Sequence, residues 1–359
     1  MKRLIPLFLL IALTACQLDG LRAAPLPTAY PPEYVQTLVV MTAEALASPT
    51  PVPFTPTPIP PLQTPTITPT LAPFEQYTIE YLRRRSYGGG IIEPVEVQED
   101  NSDFIRYLIR YPSDGLTMYG FMNIPKGDGP YPIVMIIHGL ADTGTFNYLD
   151  YRSDLEDALT REGFIVIFPV LRGYPPSDSG DNMFRVGMSI DVLNLIAIVK
   201  TQGGQPGTLE KADPDRIGLM GQSLGGGITL RILTVIPDIK AAVLYSPVSG
   251  DELRNAQQLY RITREPQFQN ELNTLPSLFL GISPMYYYSN ITSPILLFQG
   301  TKDRTTPMSW AQGTCNLIST AGKSIDCIYY EGEGHIFSSE IRDDFFGSMF
   351  AFFKTYLSP

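Results

Sequence analysis

The sequence predicts an α/β fold, a mostly parallel sheet with helices on both faces and a small insertion over one edge. Three observations lead there. First, several apolar runs, among them "PIVMIIHG" (132–139), "FIVIFPV" (164–170) and "PILLFQG" (294–300), carry no charge, as strands buried on both faces require. Second, segments with helical spacing separate them, such as "YRSDLEDALTREG" (151–163) and "GMSIDVLNLIAIVKTQ" (187–202). Third, strand and helix alternate, which is the signature of parallel strands joined by crossover helices. A chain of 359 residues, 44% hydrophobic and 17% charged, has the composition of a globular protein with a sizeable core.

From the N-terminus, Lys2 and Arg3 precede the apolar run Leu4 to Leu13, too short to span a bilayer as a helix. The run ends in Leu13-Thr14-Ala15-Cys16, which resembles the lipobox of bacterial lipoproteins. That resemblance implies a signal peptide over 1–15, cleavage before Cys16, lipidation of Cys16 and an extracytoplasmic protein held at a membrane. Residues 16–47 form an N-terminal segment with one candidate short helix near Tyr34 to Ala47. Residues 48–73, "SPTPVPFTPTPIPPLQTPTITPTLAP", favour extended polyproline II geometry and cannot build a core. Fully extended, this tract reaches about 80 Å, the length of a stalk.

The folded domain is expected over 74–359. "FIRYLIRY" (104–111) and "GLTMYGFMNI" (115–124) read as an antiparallel lead-in pair. The alternating part follows: the strands and helices quoted above, strand "RIGLMG", helix 223–235, strand "AAVLYS", strand "PILLFQG", helix 307–320, strand "SIDCIYY" and helix 341–357. Residues 249–290 break the rhythm and read as an insertion above the sheet, with Tyr286, Tyr287 and Tyr288 as candidate pocket residues or packing. Apart from Cys16, the cysteines are Cys315 and Cys327, on a helix and the strand after it, so a disulfide between them is expected. The net charge of −10, with no basic cluster longer than Arg83–Arg85, excludes a nucleic-acid-binding face. Arg83–Arg85 itself reads as a solvated face.

In such a sheet, chemistry gathers at the carboxyl edge of the strands. Ser223 stands there in "RIGLMGQSLGGG", on a strand-to-helix turn that Gly221 and Gly225 allow to be tight. A serine hydroxyl needs a base, and the base needs an orienting group. The chain has two histidines. His335 follows the last strand in "EGEGHIF", and Asp303 follows the preceding strand in "FQGTKDRTTP". His138 ends its own strand and precedes Gly139, which suits a loop beside an oxyanion better than a base. The order His138, Asp178, Ser223 would demand an all-β scaffold, against the alternating pattern. Expected oxyanion donors are the N–H groups of Leu224 and Leu140. A phosphate-cradling loop fits worse, for the sequence lacks both a Lys-Ser/Thr pair and glycines placed before the helix.

Together, "YPIVMIIHGL", "RIGLMGQSLGGG", "SPILLFQGTKDRTTP" and "EGEGHIF" resemble the catalytic domain of prolyl oligopeptidase-type serine peptidases and their dienelactone-hydrolase-like esterase relatives. "LRGYPPSDSGD" (171–181) resembles the same family's Arg-Gly segment. The resemblance covers about residues 115–357 and implies the α/β-hydrolase fold with a Ser223, Asp303, His335 triad and no metal or organic cofactor. Many such peptidases carry a β-propeller before the catalytic domain. The stretch between the Pro/Thr tract and the first core strands is too short to hold one, which leaves a small ester or a short peptide as the expected substrate. Two other readings share the fold: a non-catalytic surface-binding protein, and an acyltransferase in which an alcohol replaces water. Oligomeric state is not legible from the sequence.

Overall fold

The computed structural model describes residues 74–148 and 154–358. They lie in one compact unit, Pro69–Pro359. The expected signal peptide, Cys16, the segment 16–47 and the whole of the Pro/Thr tract lie outside the described residues.

Among the described residues nine strands form one sheet in the order β1-β2-β3-β5-β4-β6-β7-β8-β9. A short helix α1 (Ile79–Arg84) comes first, then three antiparallel strands, β1 (Glu93–Asp100), β2 (Phe104–Ser113) and β3 (Leu116–Pro125). The α/β part follows: β4 (Tyr131–Ile137), α2 (Asp154–Arg161), β5 (Ile165–Val170), α3 (Val186–Gln202), β6 (Ala212–Gln222), α4 (Leu224–Val235) and β7 (Ala241–Tyr245). Three short helices, α5 (Glu252–Thr263), α6 (Pro266–Leu272) and α7 (Pro276–Ile282), form the insertion. β8 (Ile295–Gly300), α8 (Met308–Thr320), β9 (Ile325–Tyr330) and α9 (Arg342–Leu357) complete the chain. From β5 to β9 across the sheet, neighbouring strands are parallel.

The uncharged strands divide their side chains between two cores. Ile133, Met135 and Ile137 of β4 pack on the face covered by α3, α4 and α8. Val134 and Ile136 pack on the other face, with Leu155 and Leu159 of α2 and Phe345, Met349 and Phe353 of α9. The period-2 alternation of a strand puts both sets on one short run, so a polar residue is tolerated on either face only where it is hydrogen-bonded.

β1 was not anticipated, because "EPVEVQED" has four acidic residues and little apolar surface. It is an edge strand tied to its neighbour by ion pairs, Glu93 with Arg110 at 2.6 Å and Glu99 with Arg106 at 2.6 Å. Of the Arg83–Arg85 run, Arg83 and Arg84 are exposed, and Arg85 makes a bidentate pair with Asp114 at 2.7 and 3.0 Å.

The connection from β4 leads to β5 on one side, and the chain then crosses to place β6 on the other side of β4. This is a topological switch point, and the crevice outside the carboxyl ends of β4 and β6 is where open α/β sheets bind ligands.

Candidate active site

Ser223 sits in that crevice, between β6 and α4, with φ 52° and ψ −112°. Few non-glycine residues adopt this backbone, which costs on the order of 1–3 kcal/mol and survives only where the surroundings fix it. Here they do. The Ser223 N–H donates to the Tyr245 carbonyl at 2.9 Å, and its own carbonyl accepts from Gly226 and Val248, each at 3.0 Å. The flanking glycines are a steric requirement. A Cβ on Gly225 would lie 2.0 Å from the Ile137 carbonyl oxygen, and one on Gly221 would lie 2.3 Å from that of Gly225.

Asp303 follows β8 and His335 follows β9, at the same edge. His335 Nδ1 lies 2.8 Å from Asp303 Oδ2. The carboxylate also accepts from Gln299 Nε2 at 2.9 Å and from the hydroxyl of Thr306 at 2.8 Å on Oδ2. Its Oδ1 takes the N–H groups of Thr305 and Thr306, at 2.7 and 2.9 Å. Burial alone would raise the Asp303 pKa, but the bonds from His335 and from the Thr306 N–H and hydroxyl outweigh it and bring it down to about 2. A carboxylate that stays ionised is acceptor-only, so Nδ1 of His335 donates to it, and in the neutral ring Nε2 is the nitrogen with the free lone pair. The His335 loop is itself fixed: the Phe337 N–H donates to the Tyr245 hydroxyl at 2.7 Å, and Lys302 N–H to the Glu333 carbonyl at 2.8 Å.

Ser223 and His335 line one cavity of about 190 Å³, together with Leu140 and Leu224. Leu224 is the first residue of α4, where an N–H has no partner within the helix. Leu140 is half-exposed, in the loop after β4, and among the described residues its N–H has no hydrogen-bond acceptor. That loop is pressed against the serine: a Cβ on Gly139 would sit 3.3 Å from Cβ of Ser223. A larger cavity of about 400 Å³ lies beyond Phe337 and Phe345, but none of Ser223, Asp303 and His335 lines it. The smaller one is the site in which polar groups converge.

His138 plays a different part. It is buried among Phe146, Phe168 and Tyr174. Its Nε2 accepts the Leu171 N–H at 3.2 Å, and Nδ1 donates to the Gly139 carbonyl at 2.8 Å. Burial lowers its pKa to about 4, so it is neutral at pH 7. Asp178 lies elsewhere, clasping β3 through the Thr117 N–H at 2.7 Å.

The insertion roofs the cavity through α5, which contributes Asn255, Gln258, Leu259 and Ile262. The three tyrosines do not line it. They lie on a 3₁₀ turn, where successive side chains point about 120° apart. Tyr288 is therefore in the core while Tyr286 is exposed. Cys315 of α8 and Cys327 of β9 are joined in a disulfide with Cα atoms 6.6 Å apart.

Four charged residues, three of which (Arg185, Arg231 and Glu252) line the cavity, were not singled out from the sequence. Arg185 donates to Glu252 at 2.8 Å and to Glu271 at 2.7 Å, Arg231 pairs with the other oxygen of Glu252, and all four are buried. The signal available was a charge inside an apolar helix, as in "ITLRIL" (228–233).

Solved structures share this architecture. The structure is similar to acetyl xylan esterase 1 from Thermoanaerobacterium sp. (TM-score 0.55, 19% identity, 74% of this chain and 88% of that one). It is also similar to an acylaminoacyl peptidase of Pyrococcus horikoshii (TM-score 0.58, 19% identity, 72% of this chain and 42% of that one). The chain has the α/β-hydrolase fold. In sequence, residues 207–359 match the profile of the prolyl oligopeptidase family. A Methylorubrum extorquens protein assigned by name only as a carboxymethylenebutenolidase is 20% identical over 271 residues, 71% of this chain and 81% of that protein.

Proposed function

We propose that the protein is a lipid-anchored, extracytoplasmic serine hydrolase that cleaves ester or short-peptide amide bonds through an acyl-enzyme. The observation that carries this reading is the pairing of His335 with a fully ligated Asp303 beside a cavity that also exposes Ser223 on a strained turn. In the reaction, His335 Nε2 takes the proton of the Ser223 hydroxyl as its oxygen bonds to the substrate carbonyl carbon. Asp303 holds the imidazole in the tautomer that leaves Nε2 basic and stabilises the imidazolium that forms. The Leu224 and Leu140 N–H groups receive the developing oxyanion. His335 then gives its proton to the leaving alcohol or amine, and the acyl group remains on Ser223. A water deprotonated by His335 releases the acid and restores the serine.

The walls of the cavity are mostly apolar, which suits a compact acyl group. In this reading Cys16 carries the lipid and residues 48–73 form the stalk. The test is turnover of p-nitrophenyl acyl esters beside aminoacyl and peptidyl anilides, by the purified protein and its Ser223→Ala variant. Hydrolysis of either class, lost in Ser223→Ala, is expected. Turnover that survives the substitution contradicts the assignment.

A further inference from the structure

The end of β7 lies between the strands that deliver Ser223 and Asp303, and it is in hydrogen-bond contact with all three loops of the site. The Tyr245 carbonyl accepts the Ser223 N–H at 2.9 Å. The Ser246 carbonyl lies 3.1 Å from the hydroxyl of Thr306, in the loop that carries Asp303. The Tyr245 hydroxyl accepts the Phe337 N–H at 2.7 Å, two residues after His335. Ser246 is buried and holds φ 44°, a left-handed backbone that costs a serine on the order of 1–3 kcal/mol. Such strain persists only where the surroundings fix it, and here the Ser246 N–H is held by the Phe298 carbonyl at 2.8 Å.

The His335 loop is anchored differently on its two sides. Before the histidine, its backbone is tied to the end of β8: the Lys302 N–H donates to the Glu333 carbonyl at 2.8 Å, and the Gly332 N–H to the Thr301 hydroxyl at 2.9 Å. After the histidine, Ser338 bonds back to Glu333 inside the same loop. Among the described residues, the tie from this side to the sheet is the Phe337 N–H on Tyr245. β9 is two strands from β7, about 10 Å at the spacing of a sheet, so a long side chain is needed at 245 to reach its loop. The Tyr245 ring also packs on Phe337 and Phe345, with centroids 4.5 and 4.9 Å away. It belongs to the core on the α9 face, whereas Leu224 and Ile228 of the Ser223 cavity belong to the other core, and it does not line that cavity.

We propose that Tyr245 is a positioning residue for His335, its hydroxyl fixing the histidine loop so that the ring stays on Asp303 while its carbonyl holds the Ser223 turn. One residue then sets the spacing between nucleophile and base, from the face of the sheet that the substrate does not occupy. This rests on the reading of Ser223 and His335 as that nucleophile and base. Tyr245→Phe separates the two tasks. It leaves the carbonyl, the ring packing and the Ser223 turn in place, and removes only the acceptor for the Phe337 N–H.

Two readouts on the full chain separate positioning from a general loosening of the domain. In kinetics, Tyr245→Phe is expected to lower kcat and kcat/KM together by about 10- to 100-fold on a responsive p-nitrophenyl ester, because a displaced base is felt in the transition state rather than in binding. In proton NMR of protein with isotope-labelled histidine, the hydrogen-bonded Nδ1 protons of His335 and His138 each give a downfield resonance, and His138, bonded to the Gly139 carbonyl, is the internal reference. In Tyr245→Phe the His335 resonance is expected to shift or to broaden by exchange with water, while that of His138 stays unchanged. A raised KM with kcat unchanged, a His335 resonance that is unaltered by the substitution or absent from the parent protein, or equal disturbance of both resonances overturns the proposal. Should Tyr245→Phe fail to fold, hydrogen exchange of the parent protein decides. There the Phe337 amide is expected to exchange at least about 100-fold more slowly than that of Ile336, and equal rates contradict the tie. Failure of the Ser223 reading would show instead as turnover that survives Ser223→Ala, with the two resonances still reporting the loop.

Discussion

The loops after β4 and β9 each place a histidine at the same edge of the same sheet, yet the two imidazoles are put to opposite use. His138 has both nitrogens engaged by backbone, at Gly139 and Leu171, inside an aromatic cage that lowers its pKa to about 4. His335 has one nitrogen tied to Asp303, and its partly exposed ring faces the cavity. A histidine becomes available as a base when one nitrogen is anchored by an ionised group and the other is left to solvent or substrate. It becomes a structural strut when both nitrogens are used up. Chain position does not separate the two cases, whereas their hydrogen-bond partners do.

The comparison predicts unequal consequences of removing each ring. His335→Ala should lower kcat/KM on a responsive p-nitrophenyl ester by about 10⁴-fold or more, with the folded fraction unchanged by circular dichroism. His138→Asn should mainly reduce the midpoint of urea unfolding, with turnover per folded molecule within about tenfold. A collapse of turnover in folded His138→Asn would break the distinction. Asp303→Asn should lower kcat/KM by about 10³–10⁴-fold, because an amide no longer selects the tautomer with a free Nε2. Loss of less than about tenfold would remove Asp303 from the mechanism.

The smaller effects concern stability. His138 has a folded pKa of about 4, below its ordinary value of 6.5, so the unfolded chain binds more protons between these values. Stability contributed by the neutral ring is complete above the unfolded pKa and is lost as pH falls towards 4, by about 3 kcal/mol. The difference in unfolding free energy between the protein and His138→Asn, measured from pH 7 to pH 4, should narrow or reverse by that amount. A constant difference would show that His138 is not buried neutral. The Cys315–Cys327 disulfide ties β9, which carries the His335 loop, to α8. It closes a loop with a sequence separation of 12 residues, so its reduction should cost about 2–3 kcal/mol. Reduction should impair turnover before it disturbs the β4 end of the sheet, as read by hydrogen exchange of Leu171 and Ser223 amides relative to Thr301.

Much of the fold was legible because burial on both faces leaves a crude mark. Runs such as 164–170 and 294–300 have no charged residue, and each forms a strand within a residue or two of the expected bounds. β1 left no such mark, since its acids are satisfied by arginines of β2 that adjoin it only after folding. For the candidate site, glycines and chain order pointed to the strand ends, and the structure brings Ser223 and His335 to one cavity and Asp303 to His335. The ion cluster stayed hidden for a different reason. Arg231 in "ITLRIL" announces that some partner exists, but Glu252 and Glu271 are supplied by the insertion, and pairing across such distances follows from packing rather than local pattern.

The central claim is tested most directly by incubating the purified protein with a fluorophosphonate probe and mapping the modified residue by peptide mass spectrometry. The account predicts a single stoichiometric adduct on Ser223, formed slowly or not at all in His335→Ala. Modification of another serine, or labelling of Ser223 at an unchanged rate without His335, would contradict it.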